Sequence, residues 1–120
     1  MLIIALMQTK DLIKGALNTI ILNLLKEHGQ MYGYEITQEV KRRTNGKILI
    51  REGSLYPALH KLLAEEMVMT EEVLIGRRSR IYYKLTSKGQ EQTVEQTTEL
   101  IGFLETVASL IFPDKKLAHG

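Results

Sequence analysis

Two segments of this chain carry side chains whose types and spacing suit the chemistry of holding a polyanion. Gly76-Arg77-Arg78-Ser79-Arg80 sets three guanidinium groups within four residues behind a turn-forming glycine. A hairpin tip gains nothing in folding from three like charges, which repel one another. A phosphate strand or a narrow minor groove offsets that cost. About fifteen residues earlier, Gly53-Ser54-Leu55-Tyr56-Pro57-Ala58-Leu59-His60-Lys61-Leu62-Leu63 reads as a short helix. With Leu55, Leu59, Leu62 and Leu63 turned inward, its outward set is Ser54, Tyr56, Pro57, His60 and Lys61. Ser54 and Tyr56 can bond phosphate or base edges, and His60 and Lys61, one turn on, can reach an acceptor such as guanine N7. Lys61 and Arg51 suit phosphate contacts, which outnumber base contacts in such interfaces. Tyr34 and Lys41 are further candidates for the nucleic-acid backbone. Blander readings exist for each: Tyr56 as a half-buried core tyrosine, His60 as an ordinary surface histidine, and the arginines as a solvated turn.

The distribution of charge agrees with one anion-facing side. The 120 residues carry a net charge of only +2. Residues 41–90, however, hold eleven Lys/Arg against five Glu, giving +6, between flanks of −1 and −3. Such asymmetry is expected where one face meets an anion. Other chemistries find little support. His28, His60 and His119 share no metal-ligand spacing, and no cysteine is present as nucleophile, metal ligand or disulfide half. No serine sits in a nucleophile elbow and no glycine-rich loop opens a helix in phosphate-cradling form. Glu65-Glu66 and Glu71-Glu72 read as solvated edges. The expectation is a binding protein rather than an enzyme, with no cofactor and no metal. The apolar run Met1–Met7 is too short for a membrane span and lacks the flanks of a signal peptide. Together with the absence of cysteine, this suits a cytoplasmic protein with no membrane partner.

The elements that must position these groups follow from periodicity. Leu12, Ile13, Ala16, Leu17, Ile20, Ile21, Leu24 and Leu25 trace a wide helical face that His28-Gly29 closes. Tyr32-Gly33-Tyr34 reads as a connector, and a second helix runs from about Gly33 to Arg43, ended by the turn signal Asn45-Gly46. Ile48-Leu49-Ile50 is β-prone and long enough for one small strand. Pro57 belongs to the first turn of a helix, which places the start of the third helix near Gly53 or Ser54. Met67 to Ile75 and Arg80 to Leu85, on either side of Gly76 to Ser79, predict a β-hairpin. Thr86 or Ser87 can cap the last helix, Ser87 with Gln90 forming a capping box. That helix runs to about Phe112, where Pro113 stops it. Within it Val94, Thr97, Ile101, Leu104, Ala108 and Ile111 keep an a/d heptad spacing, widened by Leu100, Phe103, Val107 and Leu110. So much apolar surface on a terminal helix calls for a twin, with the first helix of the other subunit, at Leu17 and Ile21, completing the contact.

The order predicts a mainly α fold with a small β-wing (α+β): one domain with a winged helix-turn-helix core at 12–85 and a dimerisation helix at 86–112. An N-terminal arm at 1–11 packs against a partner subunit, and 113–120 form a tail.

Four of these motifs, in this order and spacing, resemble the PadR family of transcriptional regulators. They are Tyr32-Gly33-Tyr34-Glu35-Ile36, Gly53-Ser54-Leu55-Tyr56-Pro57-Ala58-Leu59, Gly76-Arg77-Arg78, and Tyr82-Tyr83-Lys84-Leu85-Thr86-Ser87-Lys88-Gly89. The resemblance, to the shorter class with a single C-terminal helix, implies a homodimeric repressor on a palindromic double-stranded DNA operator. It also implies release by a small, often aromatic or cationic, effector. The matching part of the last helix offers Leu100 and Phe103 for such a pocket. Two departures stand out. Glu66 replaces the usual glycine after the third helix, which removes its easy left-handed cap, and there is no tryptophan for stacking flat ligands. The rival reading is a winged helix used for protein–protein contact without DNA.

Overall fold

The structure, a computed structural model, describes residues 13–112. The arm expected at residues 1–11, the tail at 113–120, Leu12, Pro113 and His119 lie outside them. Ile13 and Lys14 are helical, a turn at Gly15-Ala16 follows, and helix α1 then spans Leu17–His28. The apolar rhythm from Leu12 reads as one helix where the structure has a break, because the rhythm does not register the glycine at 15. Gly29, at φ 85°, ends α1 by donating its N–H to the Leu25 carbonyl. Strand β1 (Met31–Tyr32) leads directly into α2 (Gly33–Arg43). Next come α3 (Glu52–Ala64), the hairpin strands β2 (Val68–Ile75) and β3 (Arg78–Leu85), and the long α4 (Ser87–Ile111). The sheet is antiparallel in the order β1-β3-β2.

Three helices meet over one face of this sheet. Ile21, Leu22 and Leu25 of α1, Ile36 of α2, and Leu55, Leu59 and Leu62 of α3 are fully enclosed, with Val68 and Tyr83 closing the core from the sheet. The four-and-three spacing on α3 thus buries its apolar stripe as read, and leaves the opposite side of α3 in solvent.

Several local expectations differ from the structure. The β-prone run Ile48–Ile50 forms no strand: Ile50 enters the core, and the Ile48 N–H is satisfied by the Thr44 hydroxyl at 3.0 Å. The third strand is instead Met31–Tyr32, paired Met31 with Tyr83 and Tyr32 with Tyr82. Helix α3 begins at Glu52, so Pro57 sits in its second turn rather than its first. The Gly53 carbonyl that lacks a Pro57 N–H to accept lies on the exposed side, where water can satisfy it. At the start of α4 the cap is Thr86, whose hydroxyl accepts the Gly89 N–H at 3.0 Å, and no Ser87–Gln90 box forms.

Helix α3 also keeps the left-handed ending that Glu66 was expected to deny it. Glu66 stands at φ 60°, and the N–H groups of Glu66 and Met67 reach the Leu63 and Leu62 carbonyls at 3.0 and 2.9 Å. This pair of bonds is the Schellman arrangement, made here by a side-chain-bearing residue. A left-handed non-glycine residue costs about 1–2 kcal/mol. Glu66→Gly should therefore raise stability by about 1 kcal/mol, after the added freedom of the unfolded glycine, as read by chemical denaturation.

Candidate nucleic-acid interface

Helices α2 and α3 form the two arms of a helix-turn-helix, and the hairpin stands beside them. Their junction is close. A Cβ built on Gly33, the first residue of α2, would come within 2.6 Å of the Tyr56 hydroxyl on α3. Gly33 is buried because the Tyr56 ring lies against it, so Tyr56 is part spacer and part surface. The next residue, Tyr34, is 63% exposed at the mouth of the same junction. Along α3, Pro57, His60 and Lys61 are exposed and Ser54 is half-buried, while Arg51 is the exposed N-cap residue. The polar set read from the sequence thus shares one face of α3, with Tyr34 at its edge.

The hairpin is tighter than expected. Ile75 pairs directly with Arg78, which leaves a two-residue turn of Gly76 and Arg77. Gly76 at φ 64° followed by a residue without positive φ is the type II′ pattern that suits the strand twist. Arg77 is therefore at the tip and Arg78 at the start of β3, both exposed. Arg80 is not at the tip. Its guanidinium carbon lies 4.0 Å from the centre of the Tyr32 ring, which itself meets Tyr82 edge-on at 5.5 Å and 80°. The hairpin also projects beyond the body. Tyr83 is enclosed on its core-side face, yet Ile81 and Leu74 on that same face are exposed, Leu74 by 77%.

The +6 block is not all on offer to an anion. Arg42 and Arg43 bind Glu39 at 2.7 Å, and Arg43 also binds Glu27 on α1 at 2.7 Å. Lys88 donates to the Glu65 carbonyl at 2.8 Å. Arg51, Lys61, Arg77 and Arg78 have no ion-pair partner among the described residues. Sequence reading missed the Glu27–Arg43–Glu39 brace between α1 and α2, although the i,i+3 and i,i+4 spacing of Glu39 to Arg42 and Arg43 signals half of it.

The same brace makes a pH prediction. Hydrogen bonds from Arg42, then Arg43, hold the Glu39 carboxyl down at about 2 from its ordinary 4.5. A carboxylate lowered in the fold stabilises above its unfolded value and loses that contribution as it protonates. The brace should hold at neutral pH and fail between pH 4.5 and 2. Thermal midpoints should fall more across that window in the wild type than in Glu39→Gln, as followed by circular dichroism.

The expected dimer and effector residues divide. Leu17 and Ile21 are 7% and 0% exposed inside their own protomer, so the core that α1 builds uses them and leaves neither for a partner. On α4, by contrast, Val94, Ile101, Leu104 and Ile111 are exposed and Ala108 is half-buried. Leu100 and Phe103 come together beside Thr19 and Gln96 in an open depression of about 410 Å³. Among the described residues no group of three acidic, histidine or cysteine side chains is placed to hold a metal ion, and no helix is long and apolar enough to cross a membrane.

A helix-turn-helix flanked by a projecting β-hairpin and carrying a long final helix defines the winged-helix class. The chain belongs to the PadR-like family of transcriptional regulators, whose model matches residues 21–95. It is similar to an uncharacterised protein of Lysinibacillus sphaericus, 38% identical over 78% of this chain and 85% of the other. Among solved structures it resembles a transcriptional regulator from Clostridium thermocellum at 30% identity and a TM-score of 0.74, covering 88% of this chain and 99% of that one. It also resembles Bacillus subtilis PadR in complex with operator DNA, at 27% identity and a TM-score of 0.61, over 68% of this chain and 46% of that one.

Proposed function

We propose that this protein is a homodimeric repressor that binds a palindromic double-stranded DNA operator through α3 and the hairpin tip. The observation that carries this reading is the pair Arg77 and Arg78, two guanidinium groups without an ion-pair partner among the described residues, on the end of the hairpin that projects beyond the core. A basic tip of this kind supports phosphate or minor-groove contact, while Ser54, Tyr56, His60 and Lys61 supply the face that enters a major groove. Likeness to a PadR protein solved on its operator supports the same assignment.

The α4 surface supports the dimer. Phe103 and Leu110 are 64% and 79% exposed, a degree of apolar exposure that a second copy of the helix would relieve. Two copies related by a two-fold axis present two α3 helices, which matches a palindromic site. The depression at Leu100 and Phe103 is the proposed seat of a small hydrophobic or aromatic effector that releases the operator.

Fluorescence anisotropy with a duplex of random sequence at two salt concentrations tests the binding. Binding at low salt that weakens as salt rises, by about 0.9 in log–log slope per phosphate contact, supports the proposal. No binding at low salt would leave the winged helix as a protein–protein module.

A further inference from the structure

We propose that Arg80 is a positioning residue: stacked on Tyr32, it clamps the projecting hairpin to the body and sets where Arg77 and Arg78 reach. The inference rests on the DNA-binding reading above and assigns Arg80 a different part in it from its two neighbours.

The geometry separates the three arginines. Residues 78, 80 and 82 alternate onto one face of β3, and their pairing with β2 leaves Arg80 two positions outward of Tyr82. Tyr82 pairs with Tyr32 on β1, so the Tyr32 ring stands beside Tyr82 and under the guanidinium of Arg80. A guanidinium at 4.0 Å from a ring centre is well inside the range of cation–π attraction. The neighbouring Tyr82 side chain is the main influence that further favours the charged form of Arg80. Tyr32 is in turn fixed at its backbone, where its N–H donates to Glu35 Oε1 at 3.0 Å in the first turn of α2. A chain of contacts therefore runs from α2 through Tyr32 to the hairpin.

The clamp lies where the core stops. On the core-side face, the hairpin loses its cover beyond Tyr83, leaving Ile81 and Leu74 exposed. The opposite face at the same height is held by Arg80 on Tyr32. Without that contact, the outer part of the hairpin is a two-stranded ribbon, a unit of marginal stability alone. Its tip would then sample many orientations, and each phosphate contact would cost more ordering on binding.

Four variants test the assignment: Arg80→Ala, Tyr32→Leu, Tyr32→Phe and Arg78→Ala. Hydrogen exchange of the amides at 72–81 in the free protein is the first readout. Arg80→Ala and Tyr32→Leu should both speed exchange there by about two- to fivefold, the factor that an exposed cation–π contact is worth. Tyr32→Phe, which keeps the ring, and Arg78→Ala, which leaves the clamp intact, should not. Duplex binding over a salt series is the second readout. Tyr32→Leu should weaken binding with the salt slope unchanged, and Arg80→Ala should do the same, whereas Arg78→Ala, losing one contact per protomer, should lower the slope of the dimer by about 1.8. The clamp is overturned if Tyr32→Leu leaves both exchange and affinity at wild-type values, or if Arg80→Ala lowers the slope as Arg78→Ala does. Should the wild type bind no duplex at all, the repressor reading fails while hairpin exchange still decides whether the clamp exists. Circular dichroism melts of the four variants exclude general unfolding as the cause of faster exchange.

Discussion

Gly89→Ala should destabilise the protein by about 1–3 kcal/mol, a substantial part of the 5–15 kcal/mol typical of a domain. Helix propensity alone predicts the opposite sign, because alanine is favoured over glycine inside a helix by about 1 kcal/mol. The reason for the reversal is the joint between the hairpin and α4. A Cβ on Gly89 would fall inside the contact distance of the Met67 carbonyl oxygen, a backbone atom that cannot swing aside. That carbonyl also accepts the Thr86 N–H at 3.0 Å, and the Thr86 hydroxyl donates to the Glu66 carbonyl at 2.6 Å while accepting from the Gly89 N–H. Making room for one methyl group therefore strains a packed contact at about 1–3 kcal/mol and loosens a helix cap worth about 1 kcal/mol. Thermal denaturation should show a midpoint lowered by roughly 4–15 °C. A midpoint within two or three degrees of wild type, by that rough scale, would show that the joint yields freely. Gly102→Ala, in the same helix, is the control: a Cβ there meets nothing within 4 Å. It should stabilise the protomer by about 0.5–1 kcal/mol, as propensity predicts.

Removing both free guanidinium groups at the tip, Arg77→Ala with Arg78→Ala, is expected to have the largest effect on DNA binding with the least effect on folding. Neither side chain contributes to the core, and neither has an ion-pair partner among the described residues. Stability should stay within about 0.5 kcal/mol of wild type, the usual range for such surface changes. Loss of two phosphate contacts per protomer, four per dimer, should lower the log–log salt slope by about 3.6 and affinity by about a hundredfold or more. The loss should be similar on every sequence, since phosphates carry no base identity. A His60→Ala or Ser54→Ala change should instead alter the preference among sequences. Gel-shift titrations of the double variant on an operator and on random duplex separate these effects. Unchanged affinity and slope on both would remove the hairpin from the interface.

The parts of this architecture that sequence made legible are those set by local chemistry. The apolar spacing on α3 names its buried side, the glycine at 76 marks the turn, and Gly33 to Arg43 emerges as a helix with the bounds it has in the structure. What stayed hidden depends on residues far apart in the chain. Strand β1 is two residues long and exists only because Tyr82 and Tyr83 come to pair with it. Arg80 reads as one more tip cation until Tyr32, 48 positions earlier, is seen beneath it. The charge block counts Arg43 as available because its partner Glu27 sits on another helix. Leu17 and Ile21 read as interface residues because an apolar helical face does not say whether its own chain or a second one covers it. The candidate DNA face on α3 was legible for the complementary reason: polar residues opposite a buried stripe must face outward, whatever surrounds them.

The left-handed residue at Glu66 has a practical consequence for measuring this protein. The chain folds with a joint at Glu66 that glycine would fit better, so it sits below the stability its own backbone permits. A Glu66→Gly background would supply headroom without touching α3's outer face, the hairpin tip or the stripe on α4. Weakened variants that would melt near room temperature in the native sequence could be compared there on equal footing. Binding losses could then be told apart from simple loss of folded protein.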